Sequence, residues 1–320
     1  MRRKENFTER VAVVIPVYKN ELTALEELAL KQCFRVLNKH KIIIIKPKSL
    51  QLTILKDHKF IEYISFEDEY FKDLIGYNRL MLWEGFYEKF LKFQYILIYQ
   101  MDAFVFTDRL IEWCDKGYDY IGAPWLRSHK YIDIVKAVKS KILIAFHTRF
   151  NIKQPGTDLP TEIQFENKVG NGGLSLRKVR KFYELSVKYK SAQLEYIGRK
   201  ENHFNEDVWW SIELNRKKRH LKIPGYKTAV RFSFENEPRR AYELTGHKLP
   251  FGCHAWNRHL DFWRGKIVIG DVFDFEQAVV YHLSPPLSYP NKRAPAKPKK
   301  IKLAPEYQFM VRNKDPKWSF

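Results

Sequence analysis

Only three cysteines occur among 320 residues, Cys33, Cys114 and Cys253, odd in number and far apart. That excludes a disulfide-stapled fold and a CxxC zinc or redox pair. The expectation is structural thiols in a reducing cytoplasm. Glycine and proline, 14 and 15 residues, are too few for a collagen-like or low-complexity chain. Long apolar runs are missing as well. Val11–Val17 is broken by Pro16 and Ile42–Ile45 is shorter still, against the roughly 18 residues that a membrane span needs. Met1–Arg10 is charged throughout and lacks the apolar stretch of a secretory leader. Acids are short too: 37 Asp and Glu face 57 Lys and Arg, a net charge of +20 with histidine neutral. What remains is 45% hydrophobic and 29% charged, the balance of a soluble, well-cored globule. At ~100–200 residues per domain the length allows one large α/β domain or two smaller ones.

The positive charge speaks to partners and not to fold. A basic surface attracts nucleic acid, an anionic membrane or a phosphorylated small molecule. Aromatic residues, 15% of the chain, suit bases and sugars and also fill cores. Composition names these candidates without choosing among them.

The β-branched run Val11–Val17, closed by Tyr18-Lys-Asn20, reads as a buried parallel strand followed by a loop. Glu21–Leu37 has helical spacing of Leu22, Leu25, Leu28, Cys33, Val36 and Leu37. Ile42–Ile45 and Ile61–Phe66 predict two more strands. Tyr77–Leu91 predicts one amphipathic helix with Leu80, Trp83, Phe86, Tyr87 and Phe90 inward, and Tyr95–Tyr99 a fourth strand. This alternation predicts an α/β fold, a mostly parallel sheet with helices on both faces. Tyr118–Gly122 predicts another strand, Ser128–Lys168 a basic, partly helical segment, and Asn205–Val208 the opening of a helix. Beyond about Tyr281 the composition shifts. Pro285–Phe320 holds nine Lys and Arg against two acids, with frequent proline, and predicts an extended basic arm. The domain division that follows is 1–284, with an insertion near 126–168, and 285–320.

In open parallel sheets, ligands bind beyond the carboxyl ends of the strands. Asp102 stands where such a strand ends, placed to hold a hard divalent cation beside phosphate oxygens, or equally to cap a turn or meet a surface Arg. Gly170-Asn-Gly-Gly173 supplies backbone that approaches a ligand closely, or a tight turn between strands. With Arg177 following, it sets amides and a guanidinium for an anionic or hydroxyl-rich substrate. Ser175 takes the last glycine position of GxGxxG, and GxxxxGK[ST] is absent, which disfavours dinucleotide and P-loop sites. Glu206 and Asp207 open an apolar helical run. Taken alone they are explained by capping and the helix dipole, with a general base as the functional alternative. His254, taken alone, reads as a structural histidine more readily than as a ligand.

The order of these features carries a resemblance. The opening strand Val11–Pro16, Tyr77-Asn-Arg79, Ile98-Tyr-Gln-Met-Asp102, Tyr118-Asp-Tyr-Ile-Gly-Ala-Pro-Trp125, Val169-Gly-Asn-Gly-Gly-Leu-Ser-Leu-Arg177, Glu206-Asp207 and Gly252-Cys-His254 together resemble nucleotide-sugar glycosyltransferases of the GT-A fold. They look closest to a glycosyltransferase-like family labelled as a domain of unknown function, and their order is similar to that of the β-1,4-galactosyltransferases. The resemblance implies a GT-A-like, Rossmann-like sheet with a basic C-terminal extension. It implies a hexosyltransferase-like enzyme that passes a sugar from a nucleotide-diphosphate sugar to a glycan or glycolipid, as in polysaccharide biosynthesis.

Asp102 matches the second acid of the GT-A Asp-X-Asp motif, and Gln100 stands where the first would be. The metal, Mn²⁺ or Mg²⁺, falls to Asp102 with His254. Donor binding falls to Pro16, Val17, Tyr18, Asn78, Arg79, Gln100, Met101, Asp102, Asn171, Gly172 and Gly173, with Arg79 on the diphosphate and the glycines along the sugar. Asp207, paired with Glu206, is implied as the catalytic base of an inverting enzyme. The alternatives are a non-catalytic glycan-binding scaffold, favoured by Gln100, and a basic nucleic-acid-binding protein, disfavoured by the lack of an RNA-recognition signature. The charge adds the expectation of a peripheral contact with an anionic membrane at its cytoplasmic face through Lys292–Lys302.

Overall fold

The computed structural model describes residues 9–55, 61–128, 133–199 and 201–267. The expected basic arm, 285–320, and the cluster Lys292–Lys302 lie outside the described residues. In chain order the strands are β1 Glu9–Pro16, β2 Lys41–Pro47, β3 Ile61–Phe66, β4 Phe93–Tyr99, β5 Phe104–Val105, β6 Tyr120–Ile121, β7 Pro124–Trp125, β8 Lys168–Val169, β9 Leu174–Lys178, β10 Ser233–Phe234 and β11 Gly252–Cys253.

Six of them form the central sheet in the order β3-β2-β1-β4-β9-β6. The first four are parallel, with Val13 beside Ile42 on one side and Leu97 on the other. β9 runs antiparallel to both β4 and β6. The fold is therefore α/β with a mainly parallel sheet flanked by helices, as the alternation of elements predicts. The chain leaves β1 for β2 on one side and returns to β4 on the other, so the strand order reverses between β1 and β4. In open α/β sheets such a reversal is where a ligand crevice forms, beyond the carboxyl ends of the strands.

Both faces of the sheet are covered, which is why its strands read as continuous apolar runs and not as alternation. Val11, Val13, Ile15, Ile42, Ile44 and Leu97 pack with Leu30, Cys33 and Leu37 at one face. Ala12, Val14, Ile43, Ile45, Ile96 and Ile98 pack with Leu80, Phe86, Phe182 and Trp210 at the other. The helix Ala24–Val36 starts in a capping box. Thr23 N donates to Glu26 Oε2 at 2.8 Å and Glu26 N to Thr23 Oγ1 at 3.3 Å, an arrangement in which the cap contributes about 1 kcal/mol.

The single helix expected over Tyr77–Leu91 is two pieces, Leu74–Leu82 and Glu84–Glu88. Trp83 between them is extended, with φ −73° and ψ 132°, and its ring stacks on Tyr70 at 5.6 Å. Apolar periodicity continues through the break because both pieces face the same core. The segment Lys190–Ile197 forms a further helix after Val179–Lys188. The basic segment after Ser128 holds the helix Ile134–Phe150, capped by Asp133 and ended by Asn151 in the left-handed region.

A small sheet, β10-β11-β5, packs beside the carboxyl end of the main one. β10 and β11 are parallel, and β5 is antiparallel to β11 with Cys253 opposite Phe104. That pairing brings the residues after β10 and β11 next to those before β5.

Candidate active site

The crevice is assembled by two ladders. In the first, β4 and β9 pair antiparallel with Tyr99 opposite Leu174, and Gln100 N donates to Gly173 O at 2.8 Å. The glycine turn thereby lies along Gln100-Met-Asp102. In the second, β11 lies beside β5, so His254 comes down on the same spot from the small sheet.

His254 Nε2 is 3.1 Å from Asp102 Oδ1 and 3.2 Å from Gln100 Oε1. Its other nitrogen, Nδ1, is 3.1 Å from Glu235 Oε1 and 2.9 Å from Asn171 Nδ2. Asn171 is itself fixed, because its Oδ1 accepts from Gly173 N at 2.9 Å and Leu174 N at 3.2 Å. Its own backbone is left-handed, at φ 72°. A Cβ on Gly173 would overlap the His254 ring, so only glycine lets the imidazole rest on the turn.

Charge is concentrated here. Burial opposes both charged forms, but the attraction between the partners outweighs it. Asp102 is held below the usual carboxylate range by His254, and His254 is raised to about 10 by Asp102 and Glu235. The imidazolium proton thus occupies a place between carboxylates that a divalent cation's charge would also satisfy.

The donor set fits such an ion. Two neighbouring ligands on an ion at ~2.1 Å lie about 3 Å apart, the observed separation of Asp102 Oδ1 from His254 Nε2 and of Gln100 Oε1 from His254 Nε2. Carboxylate and amide oxygens with one imidazole suit Mn²⁺ better than Mg²⁺, which takes oxygen ligands. Among the described residues no group of three or more His, Cys, Asp or Glu converges on one point. The third group that could hold an ion beside Asp102 and His254 is the Gln100 amide. Glu235, accepting from Nδ1, turns Nε2 toward Asp102 and Gln100, as a carboxylate behind a metal-binding histidine does.

The other side of the turn holds a second acidic group. A Cβ on Gly172 would overlap Glu206 Oε1, as one on Gly173 would overlap His254. Glu206 is buried and paired with Arg177, Nη2 to Oε1 at 2.8 Å, and Arg177 is 0% exposed. Arg177 also donates to the Tyr87 hydroxyl at 2.9 Å and to Ser175 Oγ at 3.0 Å. The guanidinium expected to meet an anionic substrate is therefore enclosed: both faces of β9 are covered, and its period-2 alternation puts Ser175 and Arg177 on the face that holds Tyr87 and Glu206. Glu206 is likewise kept from solvent. Its carboxyl is raised by burial against the pull of Arg177, and its Oε2 has no hydrogen-bond partner.

Asp207 is different. It is partly exposed, and the hydrogen bond to its carboxylate comes from Val208 N at 2.8 Å. Burial, then the charges of Glu206 and Glu235, push its pKa up to about 7, against smaller pulls from Val208 N and Arg177. A carboxylate half-ionised near neutrality is suited to taking a proton. Glu235 bears on both His254 and Asp207, raising each.

The remaining donor-side candidates are spread along its rim. Pro16 and Val17 are buried at the end of β1, and Tyr18 is 50% exposed. Met101 is buried and offers only its backbone. Asn78 is structural: its Oδ1 accepts from Glu206 N at 3.1 Å and its Nδ2 donates to Asn205 Oδ1 at 3.0 Å. Arg79, on the next position, is exposed. Two residues were not singled out by sequence. Glu235 joins the site only through β10–β11 pairing. The Tyr77 hydroxyl is buried beside the Gln100 side chain, although the string Tyr77-Asn-Arg79 had drawn attention to its neighbours. Behind the helix of Asp207 lies a cavity of about 330 Å³ whose lining includes Lys153, Tyr196, Arg199, Phe204 and Trp209.

A family model described as protein of unknown function, DUF5672, matches residues 60–254. No curated protein matches the chain. Among solved structures, it is similar to the galactosyltransferase LgtC in complex with donor and acceptor sugar analogs, at 13% identity and TM-score 0.46, over 86% of this chain and 97% of that one. It is similar to mouse xyloside xylosyltransferase 1 in its apo form, at 10% identity and TM-score 0.45, over 77% and 97%. It is similar as well to core-mannan synthase A from Aspergillus fumigatus in its Mn/GDP form, at 12% identity and TM-score 0.44, over 68% and 73%.

Proposed function

The chain belongs to the DUF5672 family, and within that family we propose that it is a glycosyltransferase, moving a sugar from a nucleotide-diphosphate donor to a hydroxyl of a glycan or glycolipid. One observation carries this reading: Asp102 and Gln100 each lie within 3.2 Å of His254 beside the Gly172-Gly173 turn, while Asp207, next to the Glu206 that packs on the other side of that turn, has its pKa pushed up to about 7. The motif order that resembles GT-A enzymes supports it independently.

In this reading Asp102, His254 and the Gln100 amide hold Mn²⁺ or Mg²⁺, which supplies positive charge to the leaving diphosphate. Arg79, exposed on its helix, meets the same diphosphate from the rim. Gly172 and Gly173 keep the floor flat enough for the sugar. Asp207 takes the proton of the acceptor hydroxyl as its oxygen bonds to the anomeric carbon and the bond to the diphosphate breaks, which inverts configuration. Glu206, locked to Arg177, keeps the Asp207 side of the turn in place. The replacement of an acid by Gln100 favours a second reading, a scaffold that binds donor or glycan without turnover.

The test is thermal stabilisation by a panel of nucleotide sugars with and without Mn²⁺, on wild type and Asp102→Asn. A true donor at ~100 times its Kd adds about 2.7 kcal/mol. A metal-dependent shift lost in the variant, followed by transfer with inverted anomer, is expected. Binding without transfer to any acceptor would favour the scaffold. A retained anomeric configuration would remove Asp207 as an inverting base.

A further inference from the structure

The helix Ile134–Phe150 is turned inside out relative to the other helices of the fold. Its large apolar side chains face water: Ile134 is 82% exposed, Val135 62%, Val138 49%, Ile142 65%, Phe146 51% and Phe150 63%. Ile134, Val138, Ile142, Phe146 and Phe150 recur every fourth residue, so they form one ridge along the outer face. With Val135 and Leu143 they make up seven of the fourteen exposed large apolar residues among those described, and the other seven are spread along the rest of the sequence. Scattered apolar residues are ordinary on a surface, whereas a contiguous face marks an interaction site.

The inner face is firmly seated. Ile144 is buried, His147 Nδ1 is 2.7 Å from Thr161 Oγ1, and Arg216 donates to Thr148 O. The outward ridge is therefore a fixed property of the fold.

The charges on this helix are of one sign. Lys136, Lys139, Lys141 and Arg149 lie on it, and Ile134–Phe150 contains no Asp or Glu. Lys139 and Arg149 share the outer arc with the apolar ridge, and Lys136 and Lys141 flank it. In the described residues the acid paired to any of them is the cap Asp133, 3.7 Å from Lys136 Nζ. Long cationic side chains let an apolar face sink while their heads reach lipid phosphates. A second copy of the chain is a poor occupant by the same count, since two chains of +20 would meet with cations in the contact. No helix among the described residues is long and apolar enough to cross a membrane.

We propose that the outer face of Ile134–Phe150 docks the protein onto an anionic lipid bilayer, with the Ile134–Phe150 ridge in the acyl boundary and Lys136, Lys139, Lys141 and Arg149 among the headgroups. The docking goes beyond the reaction proposed above and does not depend on it. It is separate from the contact expected at Lys292–Lys302, which lies outside the described residues.

The experiment is co-sedimentation of the full chain with phosphatidylcholine vesicles, and with vesicles in which part of that lipid is replaced by phosphatidylglycerol, without donor or metal. Wild type is expected to bind the anionic vesicles preferentially and to be released by salt. Ile142→Asp with Phe146→Asp should lower the partition coefficient at least tenfold at unchanged Tm. Each of Lys139→Gln and Lys141→Gln should lower it about fivefold (about 1 kcal/mol). Ile142→Trp, a substitution that keeps the face apolar, should bind at least as tightly and shift its emission to the blue on adding vesicles. Equal binding by the Asp double variant, no preference for anionic lipid, or an Ile142→Trp emission unmoved by vesicles would overturn the proposal. So would a wild-type dimer in sedimentation equilibrium that Phe146→Asp splits, which would give the face to a second copy of the chain.

Discussion

Gly173 and His254 occupy each other's space: the imidazole rests where the Cβ of any other residue would be. The histidine's position is thus set by the absence of a side chain across the sheet. Gly173→Ala is expected to push His254 off Asp102 and Gln100 and to lower Mn²⁺ affinity at least about tenfold. Gly225→Ala, where nothing lies within 4 Å of the new carbon, should leave it unchanged. Mn²⁺ titration followed by electron paramagnetic resonance measures both.

Asp207 ties activity to stability with opposite signs. Its pKa rises on folding from 3.8 to about 7, so between those values the folded protein holds a proton that the unfolded chain has lost. Its effect on stability is nil below about 4, grows unfavourable as pH rises through this window and is complete above about 7. Asp207→Asn should therefore be more thermostable than wild type at pH 8 and equal to it near pH 4. Transfer should fall by about 10²–10⁴-fold. In the wild type, the ionised base predicts a rate that climbs to a plateau above neutrality.

Arg177 and Glu206 form a buried ion pair whose partners cannot be removed singly without cost. Arg177→Ala leaves Glu206 charged and enclosed, and a loss of ~3–5 kcal/mol is expected in urea titration. At ~2–4 °C per kcal/mol this is a Tm fall of roughly 10 °C. Glu206→Gln keeps an acceptor for Arg177 and should cost less.

Glu235 is the sequence-invisible member of the site. Glu235→Gln should weaken Mn²⁺ binding ~10–100-fold, because an amide holds the His254 ring less firmly in the orientation that points Nε2 at Asp102. The same change removes one charge that raises Asp207. The midpoint of the pH–rate profile should move down, a shift that general loss of structure would not produce.

What could be read in advance follows from how far each signal reaches along the chain. Val11–Val17, Ile42–Ile45 and Tyr95–Tyr99 announced their strands because a parallel strand buried on both faces is apolar at every position. The place of Asp102 near a strand end was legible because it stands shortly after such a run. Arg177 was misplaced because alternation in β9 decides which face a side chain takes, and its partner Glu206 is remote in sequence. Glu235 gave no signal, since its meeting with His254 depends on two dipeptide strands pairing across a loop. The helix at Ile134–Phe150 was expected only in part, and its direction was unreadable: an apolar stripe has the same spacing whether it faces a core or water.

Strand β9 has a consequence for how this protein tolerates change in length. The residue just before it, Gly173, sits against His254 and its fourth residue, Arg177, grips Glu206, so the strand acts as a gauge block between the two sides of the site. One residue added or removed inside Leu174–Lys178 would turn Arg177 to the opposite face and drive a leucine into its place. The loop between Ile152 and Pro160, by contrast, has room to lengthen or shorten without the two sides losing their spacing. Deletion scanning across both stretches would therefore divide the chain into a calibrated part and a free one.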